Sequence, residues 1–466
     1  MELRGKKVLV MGLGVHGGGL GVARFCAEAG ADVVVTDLRT ADMLADSLAA
    51  LADLPITYVL GEHRLSDFTT CDIVVQNPAV PVTSPYLVHA RTAGVRIEME
   101  MTLFFRLCAA PIIGITGTKG KTTTATLTAF LLQAWRADTV LAGNMRISAL
   151  AQLARIQRDT PVVLELSSFV LEGLDAAGLS PALSAITNIH PDHLDRYGTM
   201  TAYIAAKAAI ARHQDATQTV VLNAADPVLQ QLALAAPSQV CWTSAEALPS
   251  VARAGDVWWR DHTLWVADST GNHAIAHADD VQLAGMHMRA NVAMAVALAL
   301  KAGMPRALVA PTLRRFTGVE HRQEHVASSA RHTFINDTAA TVPDAAMVAL
   351  ACMPKPIVWI AGGADKKLTF DALAACAAQH VQQIVLLAGT ATPALHAALV
   401  AHGMADRIVG TFDVFADAVR AAQHVAPTPA TILLSPGCAS FGMFRNEFHR
   451  GEEFRAIVAT LLAEEA

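Results

Sequence analysis

Short β-branched runs alternate with alanine-rich stretches along all 466 residues, and this alternation limits the fold more than any other feature of the sequence. A short buried strand followed by a helical stretch can regain its neighbour only by a crossover, which builds parallel sheets covered by helices. The runs come in three series. VLVMG, DVVVTD and DIVVQN lead; PIIGIT, PVVLELS, SAITNIH and TVVLNA follow; FIND, PIVWIAGG, QIVLLAG, RIVGTF and TILLSPG close the chain. Three series predict three α/β domains, with expected limits of 1–109, 110–318 and 319–466. The polar stretch DSTGNHAIAHADD at 268–280 contains Gly271 and predicts a hairpin or loop.

Charge narrows the partners. With 35 Lys+Arg against 41 Asp+Glu the formal charge is -6, so no general affinity for nucleic acid or anionic membrane is expected, and anionic ligands must be met by local groups. The apolar segment VAMAVALAL at 292–300 falls well short of the ~20 residues that cross a bilayer. The seven cysteines are scattered and never spaced C-x-x-C, which predicts buried, reduced thiols and a cytoplasmic setting. MELRGKKVLVMGLG runs into a glycine turn instead of a cleavage site and reads as a first strand.

Two strand-turn-helix units carry the chemistry. In the first, Gly12, Gly14 and Gly17 fit G-x-G-x-x-G, and Asp37 ends the next strand. Such a turn lets a helix N-terminus approach a pyrophosphate while the acid reaches a ribose hydroxyl. NAD and a UDP group both satisfy it; so does simple tight packing of strand on helix, with Asp37 capping a turn.

The second unit reads IIGITGTKGKTTT at 112–124. Ile115 stands where a strict P-loop has its first glycine, yet Gly117, Thr118, Lys119, Gly120, Lys121, Thr122 and Thr123 still join a strand to a helix. Amides at the helix start favour anions, Lys121 adds a full positive charge, and the Thr122 hydroxyl can ligate magnesium, so an ATP phosphate is the expected occupant. Downstream, Glu165 ends an apolar strand, where a charge is costly unless paired or metal-bound. His193 is expected as a ligand or substrate contact, whereas Asp192 and Asp195 read as helix caps and His190 as a surface residue. Lys207 stands alone in an alanine-rich helix and, by its local pattern, is a solvated charge.

GITGTKGKTTT, LELSSFVLE, HPDHLDRY, YIAAK, GMHMRAN, EHRQE, FINDTAAT and SPGCASF...F...RG, in this order from about residue 6 to 451, resemble the Mur ligases. The resemblance implies a Rossmann-like UDP-binding domain, a central P-loop-type ATPase and a Rossmann-like C-terminal domain that takes the amino acid. It implies ATP-dependent amide formation through an acyl phosphate, adding D-glutamate, or alternatively L-glutamate, to UDP-N-acetylmuramoyl-L-alanine for the cell wall, by a cytoplasmic monomer. Lys121 and Thr122 would hold phosphates and magnesium; Glu165 and His193 would bind two Mg²⁺ ions, with Lys207 as a carbamate joining them. Asn291 matches a residue contacting adenine, Arg322 one reaching the terminal phosphate, and Asp337 an acid beside the nucleotide, while His321 and Glu324 would organise the hinge. For UDP the matches are Gly14, Val15, His16, Asp37, Arg39 and Asn144; for glutamate they are Thr341, Lys366 and Ser440.

The amino-acid pocket departs from the family pattern. Ala339 stands where many relatives have lysine, Gly442 where aspartate is usual, and Glu447 where an aromatic is usual, with Phe448 one place later. Met288 replaces the asparagine usual after His287. Glutamate of either hand remains open on these residues. Another Mur ligase or a folylpolyglutamate synthase is the near alternative, although the latter lacks a glycine-turn domain ahead of its ATPase. An NAD-dependent dehydrogenase fits the first turn alone and leaves Glu165, His193 and Lys207 unexplained.

Overall fold

The computed structural model describes residues 2–14, 18–143, 148–248, 251–281 and 286–465. Three sheets succeed one another along the chain. The first is wholly parallel, in the order Ile56–Leu60, Asp32–Asp37, Lys7–Met11, Ile73–Gln76, Arg96–Glu98. In the second, of nine strands, Ile112–Thr116 lies between Leu183–Ile186 and Val162–Glu165, all parallel. The far side of that sheet turns antiparallel through Val257–Arg260, Thr263–Asp268 and Gly271–His277, so the polar stretch at 268–280 is the expected hairpin. The third sheet is parallel from His332–Asn336 through Ala430–Leu434, Ile357–Gly362 and Val381–Leu387 to Ile408–Phe412, with Glu324–Ser328 antiparallel at its edge. The α/β architecture read from the alternation is the one the chain adopts.

The chain divides into two compact units, one of Met1–Val281 with Met286–Phe316, the other containing Thr317–Ala466. The first unit thus holds two sheets and the second holds one. Of the strands absent from the three series, Ile56–Leu60, Arg96–Glu98, Val140–Gly143, Gly271–His277 and Glu324–Ser328 lie at sheet edges, while Gln239–Ser244, Val257–Arg260 and Thr263–Asp268 lie inside the second sheet. An edge strand is covered on fewer sides than a central one, so its sequence is less apolar and gives a weaker signal.

Central strand Ile112–Thr116 is buried at every position. Helix Lys121–Trp135 lies against the sheet and helix Met286–Lys301 and buries Leu127, Leu131 and Leu132 fully, each contributing on the order of 2 kcal/mol. That packing holds the helix start rigidly at the end of the strand. The seven cysteines are free thiols, and burial pushes those of Cys26, Cys241 and Cys438 up to about 12. Among the described residues no helix is long and apolar enough to cross a membrane.

Candidate active site

Register brings the site together. Ile115 pairs with Glu165 on one side and Ala185 on the other, and Thr116 pairs with Ile186, so three parallel strands finish side by side. Their carboxyl ends form the crevice in which open α/β sheets bind ligands.

At two positions the turn leaving Thr116 passes too close to its neighbours for a side chain. Gly117 has φ +145°, and a Cβ there would lie 1.9 Å from Thr187 Oγ1; Gly120 has φ +82°, and its Cβ would lie 2.4 Å from Asn291 Oδ1. Glycine alone meets both demands without strain. Hydrogen bonds then lock the turn to the next strand end. Thr118 N donates to Asn188 O at 2.9 Å, Lys119 N to Asn188 Oδ1 at 2.9 Å, and Thr187 Oγ1 to Lys119 O at 2.6 Å. His190 N donates to Thr118 Oγ1 at 3.0 Å, and that hydroxyl lies 3.2 Å from the Tyr203 hydroxyl. The turn leads directly into helix Lys121–Trp135, whose first amides have no intrahelical acceptors and sit at its positive end. Thr122 and Thr123 stand in that first turn, the latter buried.

Two lysines converge on the turn. Lys121 Nζ folds back over it, donating to Gly117 O and Thr118 O at 3.0 Å each. Lys207 Nζ, from helix Met200–Arg212, donates to the same Gly117 oxygen at 2.7 Å and lies 4.8 Å from the Tyr203 ring centroid. Lys207 is not the solvated charge its helix pattern predicts: it is 2% exposed. Burial, and next the charge of Lys121, brings its ammonium down to about 7, against the opposing pull of Asp192 and Glu165.

Glu165, 2% exposed, closes its strand beside the turn. The His193 ring lies 5.1 Å from that of Phe169 and 6.2 Å from that of Tyr203, on the Lys207 side. The cap reading of Asp192 is corrected. His193, at φ +52°, is itself the residue before helix Leu194–Tyr197, Asp192 Oδ1 accepts from His193 N at 3.0 Å, and the Asp192 charge acts on Lys207. Asp195 likewise lies inside that helix, in its first turn, and not at the cap position. His190 is exposed, as read. Asn291 is 6% exposed and supports the turn from below, where Thr124 Oγ1 donates to its Oδ1 at 3.4 Å.

Among the described residues no three His, Cys, Asp or Glu side chains are grouped to hold a metal ion. The hydroxyl of Thr122 and the carboxylate of Glu165 are hard oxygen donors suited to Mg²⁺, which characteristically completes its shell with substrate phosphates and water. An unmodified ammonium at 207 cannot ligate, whereas a neutral amine in that buried position can be modified.

At the first sheet, Asp37 accepts from Gly14 N at 3.2 Å and Arg39 N at 2.9 Å, and Arg39 Nη1 stands 3.9 Å from its carboxylate. Asp37 therefore holds the rim of the first glycine turn. Val15, His16 and Asn144, read as UDP contacts, lie outside the described residues, as does Gly17.

The second unit collects the remaining residues in two groups. Asp337 follows strand His332–Asn336 directly, and there Ser435 Oγ donates to it at 2.7 Å and Gln323 N at 3.1 Å; burial pushes its carboxyl up to about 7, opposed by these bonds and by the nearby Arg322 charge. His321, Asn336 and Glu324 form a network beside it, with Asn336 Nδ2 3.0 Å from both His321 Nδ1 and Glu324 Oε2. Lys366 Nζ donates to Thr341 Oγ1 at 3.2 Å, and Ser440 is buried in the chain that bridges Ala439 to Ala364.

Sequence reasoning missed Arg450. Fully buried, it donates to Thr338 Oγ1 at 2.9 Å, Thr338 O at 3.0 Å and Cys438 O at 3.5 Å, tying together the two chain segments that carry Thr341 and Ser440. Tyr203 was missed too, although it stands four residues before Lys207, on the same helix face.

The Mur ligase middle domain matches residues 115–299, and the N-terminal domain of MurD-like Mur ligases matches residues 6–98. UDP-N-acetylmuramoylalanine–D-glutamate ligase of Roseiflexus sp. is 55% identical over 462 residues, covering 98% of this chain and 99% of that one. The protein of the same name from Symbiobacterium thermophilum is 37% identical, with 98% of each chain covered. Among solved structures, UDP-N-acetylmuramate-alanine ligase from Thermotoga maritima has the same fold, with a TM-score of 0.61 at 20% identity over 98% of this chain and 99% of that one. With two family domains in order and relatives of this identity end to end, the chain belongs to the Mur ligase family, among its UDP-N-acetylmuramoylalanine–D-glutamate ligases.

Proposed function

We propose that this chain adds D-glutamate to UDP-N-acetylmuramoyl-L-alanine at the expense of ATP, forming an amide through an acyl phosphate during peptidoglycan precursor synthesis. The observation that carries the chemistry is the meeting of Lys121 and Lys207 on one carbonyl of the glycine turn, at the strand ends that also present Glu165. A carboxylate must attack a phosphoryl group that is itself anionic, so catalysis is chiefly positioning and charge neutralisation.

Each residue has a defined task in this reading. The amides of Gly117 to Thr123 cradle the phosphates, and Lys121 swings its ammonium from the turn to the transferring group. Thr122, Glu165, His193 and Lys207, the last as a carbamate, hold two magnesium ions. When bound, magnesium neutralises the charge that the two anions bring together. Asn291 supports the turn and lies towards the adenine. Arg322 and Asp337 are assigned to the terminal phosphate and the nucleotide; Thr341, Lys366 and Ser440 are assigned to the incoming glutamate. Gly14, Asp37 and Arg39 serve the UDP end. Residues 1–109, 110–318 and 319–466 are the corresponding UDP, ATP and amino-acid domains of a cytoplasmic monomer.

Phosphate release from ATP, measured with UDP-N-acetylmuramoyl-L-alanine and D-glutamate, L-glutamate or neither, tests the reading. Release that requires both the nucleotide and D-glutamate supports it. Equal release with L-glutamate refutes the assigned stereochemistry, and release without the nucleotide refutes the ligase reading.

A further inference from the structure

Glu100 joins the two domains of the first unit beside the UDP end. It begins helix Glu100–Leu107, and its Oε1 accepts from Ser148 Oγ at 2.6 Å and Ala149 N at 2.9 Å, with Leu150 N as a third donor. Its other oxygen faces the start of helix Gly18–Glu28: a Cβ on Gly18 would lie 3.6 Å from Glu100 Oε2. That helix also sits directly on Ser148, since a Cβ on Gly21 would lie 2.3 Å from Ser148 Cβ. One carboxylate therefore ties the first helix of the UDP domain to the turn that opens the 3-10 helix Leu150–Arg155 of the next domain.

The placement matters because of what each tied segment adjoins. Gly18 comes just after the first glycine turn, whose Gly14 is held on its far side by Asp37. Ser148 comes just after the segment beyond strand Val140–Gly143. A carboxylate suits the position better than an amide would. Oε1 accepts from the 148–150 turn and Oε2 lies by the positive end of a helix, whereas glutamine would turn an N–H₂ towards one of them.

We propose that Glu100 is a positioning residue for the diphosphate of the UDP substrate: it fixes the glycine-turn helix against the 148–150 turn, and so the placement of the helix start that would meet the nucleotide. The proposal rests on the UDP reading of that cleft.

The test uses the full-length enzyme with Glu100→Gln, Ser148→Ala and the double variant, each checked for an unchanged circular dichroism spectrum. The KM for UDP-N-acetylmuramoyl-L-alanine is expected to rise roughly tenfold in Glu100→Gln and about threefold in Ser148→Ala, while kcat and the KM values for ATP and glutamate stay within about twofold. The double variant is expected to be no worse than Glu100→Gln alone, because the two residues act through one contact. An unchanged nucleotide KM, or a parallel rise of all three KM values, overturns the inference. Calorimetry on the wild type separates the two levels: failure to bind UDP-N-acetylmuramoyl-L-alanine at all overturns the UDP reading itself, and this inference with it.

Discussion

Lys207 and Lys121 donate to the same acceptor, the carbonyl oxygen of Gly117, at 2.7 and 3.0 Å. Burial, and next the charge of the neighbouring Lys121, brings the Lys207 ammonium down to about 7. Near neutral pH a large share of it is then a free amine, whose lone pair can attack carbon dioxide and, with loss of one proton, become a carbamate anion. Replacing Lys207 with alanine is expected to lower kcat by on the order of 100-fold or more, through loss of a fixed negative charge at the metal site. Stripping carbon dioxide from the buffer should slow the wild type, with recovery on adding bicarbonate. Full, bicarbonate-independent activity in Lys207→Ala would refute the carbamate.

The same group gives stability a pH dependence. Its folded value of about 7 lies below the ordinary lysine value of 10.5, so between those limits the unfolded chain binds more protons and stability rises with pH. Lys207→Met removes the buried charge. It should therefore raise the melting temperature relative to wild type more at pH 6.5 than at pH 9.5; an equal effect at both would place the amine in water, and the reverse order would mean a paired, stabilised ammonium.

The glycine turn makes a sharper mechanical prediction. A methyl group on Gly117 would meet Thr187 Oγ1 at 1.9 Å at a φ of +145°, so neither the backbone nor the neighbour can accept it unmoved. Gly117→Ala should displace the carbonyl that both lysines use and weaken ATP binding by roughly 100-fold, since small misplacements of a positioned group are costly. Titration calorimetry with a non-hydrolysable ATP analogue reads this directly, and Thr187→Ser, which keeps the hydroxyl, should change little.

Asp337 has the opposite sign to Lys207. Burial lifts its carboxyl from 3.8 to about 7, so the folded state holds the extra proton across that window and stability falls as pH rises through it. Asp337→Asn should match the wild type in melting temperature near pH 4 and exceed it at pH 8, by roughly 2–4 °C for each kcal/mol of relieved burial cost. The same variant should lose roughly tenfold in kcat/KM for ATP, the pattern of a group retained for function at the expense of stability. A variant less stable than wild type at pH 8 would show that the charge is well solvated or paired.

How much of this was legible beforehand depends on where each signal resides. The lysine turn and Glu165 stand at strand ends, where glycine or charge breaks an apolar run, so the local sequence exposes them. Lys207 lies in a helix whose hydrophobic stretch is alanine, and alanine gives little periodic contrast between a buried and an exposed face. Tyr203, four residues earlier and 1% exposed, and Ile210, three residues later and fully buried, mark the inward side. Arg450 is hidden for a related reason: its acceptors are the hydroxyl and carbonyl of Thr338 and the carbonyl of Cys438, which no sequence pattern announces. Asp192 looked like a cap because acids often precede helices. Its effect on Lys207 depends on a meeting of two segments that only the fold creates.

Lys366 is the charged member of the glutamate group, and its ammonium rests on the Thr341 hydroxyl at 3.2 Å. With alanine at 339 and glycine at 442, neither the lysine nor the aspartate common in relatives accompanies it, so Lys366 should carry more of the recognition of a substrate carboxylate. A charged hydrogen bond of this kind is worth about 1.5–3 kcal/mol, so Lys366→Ala should raise the KM for D-glutamate by roughly 10- to 100-fold. Thr341→Val, which removes only the hydroxyl that orients the ammonium, should cost less, about 1 kcal/mol or fivefold. Both should leave the KM for ATP unchanged. Because Arg450 fixes the Thr338 and Cys438 segments from behind, Arg450→Lys should raise the glutamate KM without altering the pH at which glutamate binding is lost, as befits a residue that holds the pocket and does not touch the substrate. If Lys366→Ala binds D-glutamate as well as the wild type in a competition assay against L-glutamate, the amino-acid pocket lies elsewhere in the second unit.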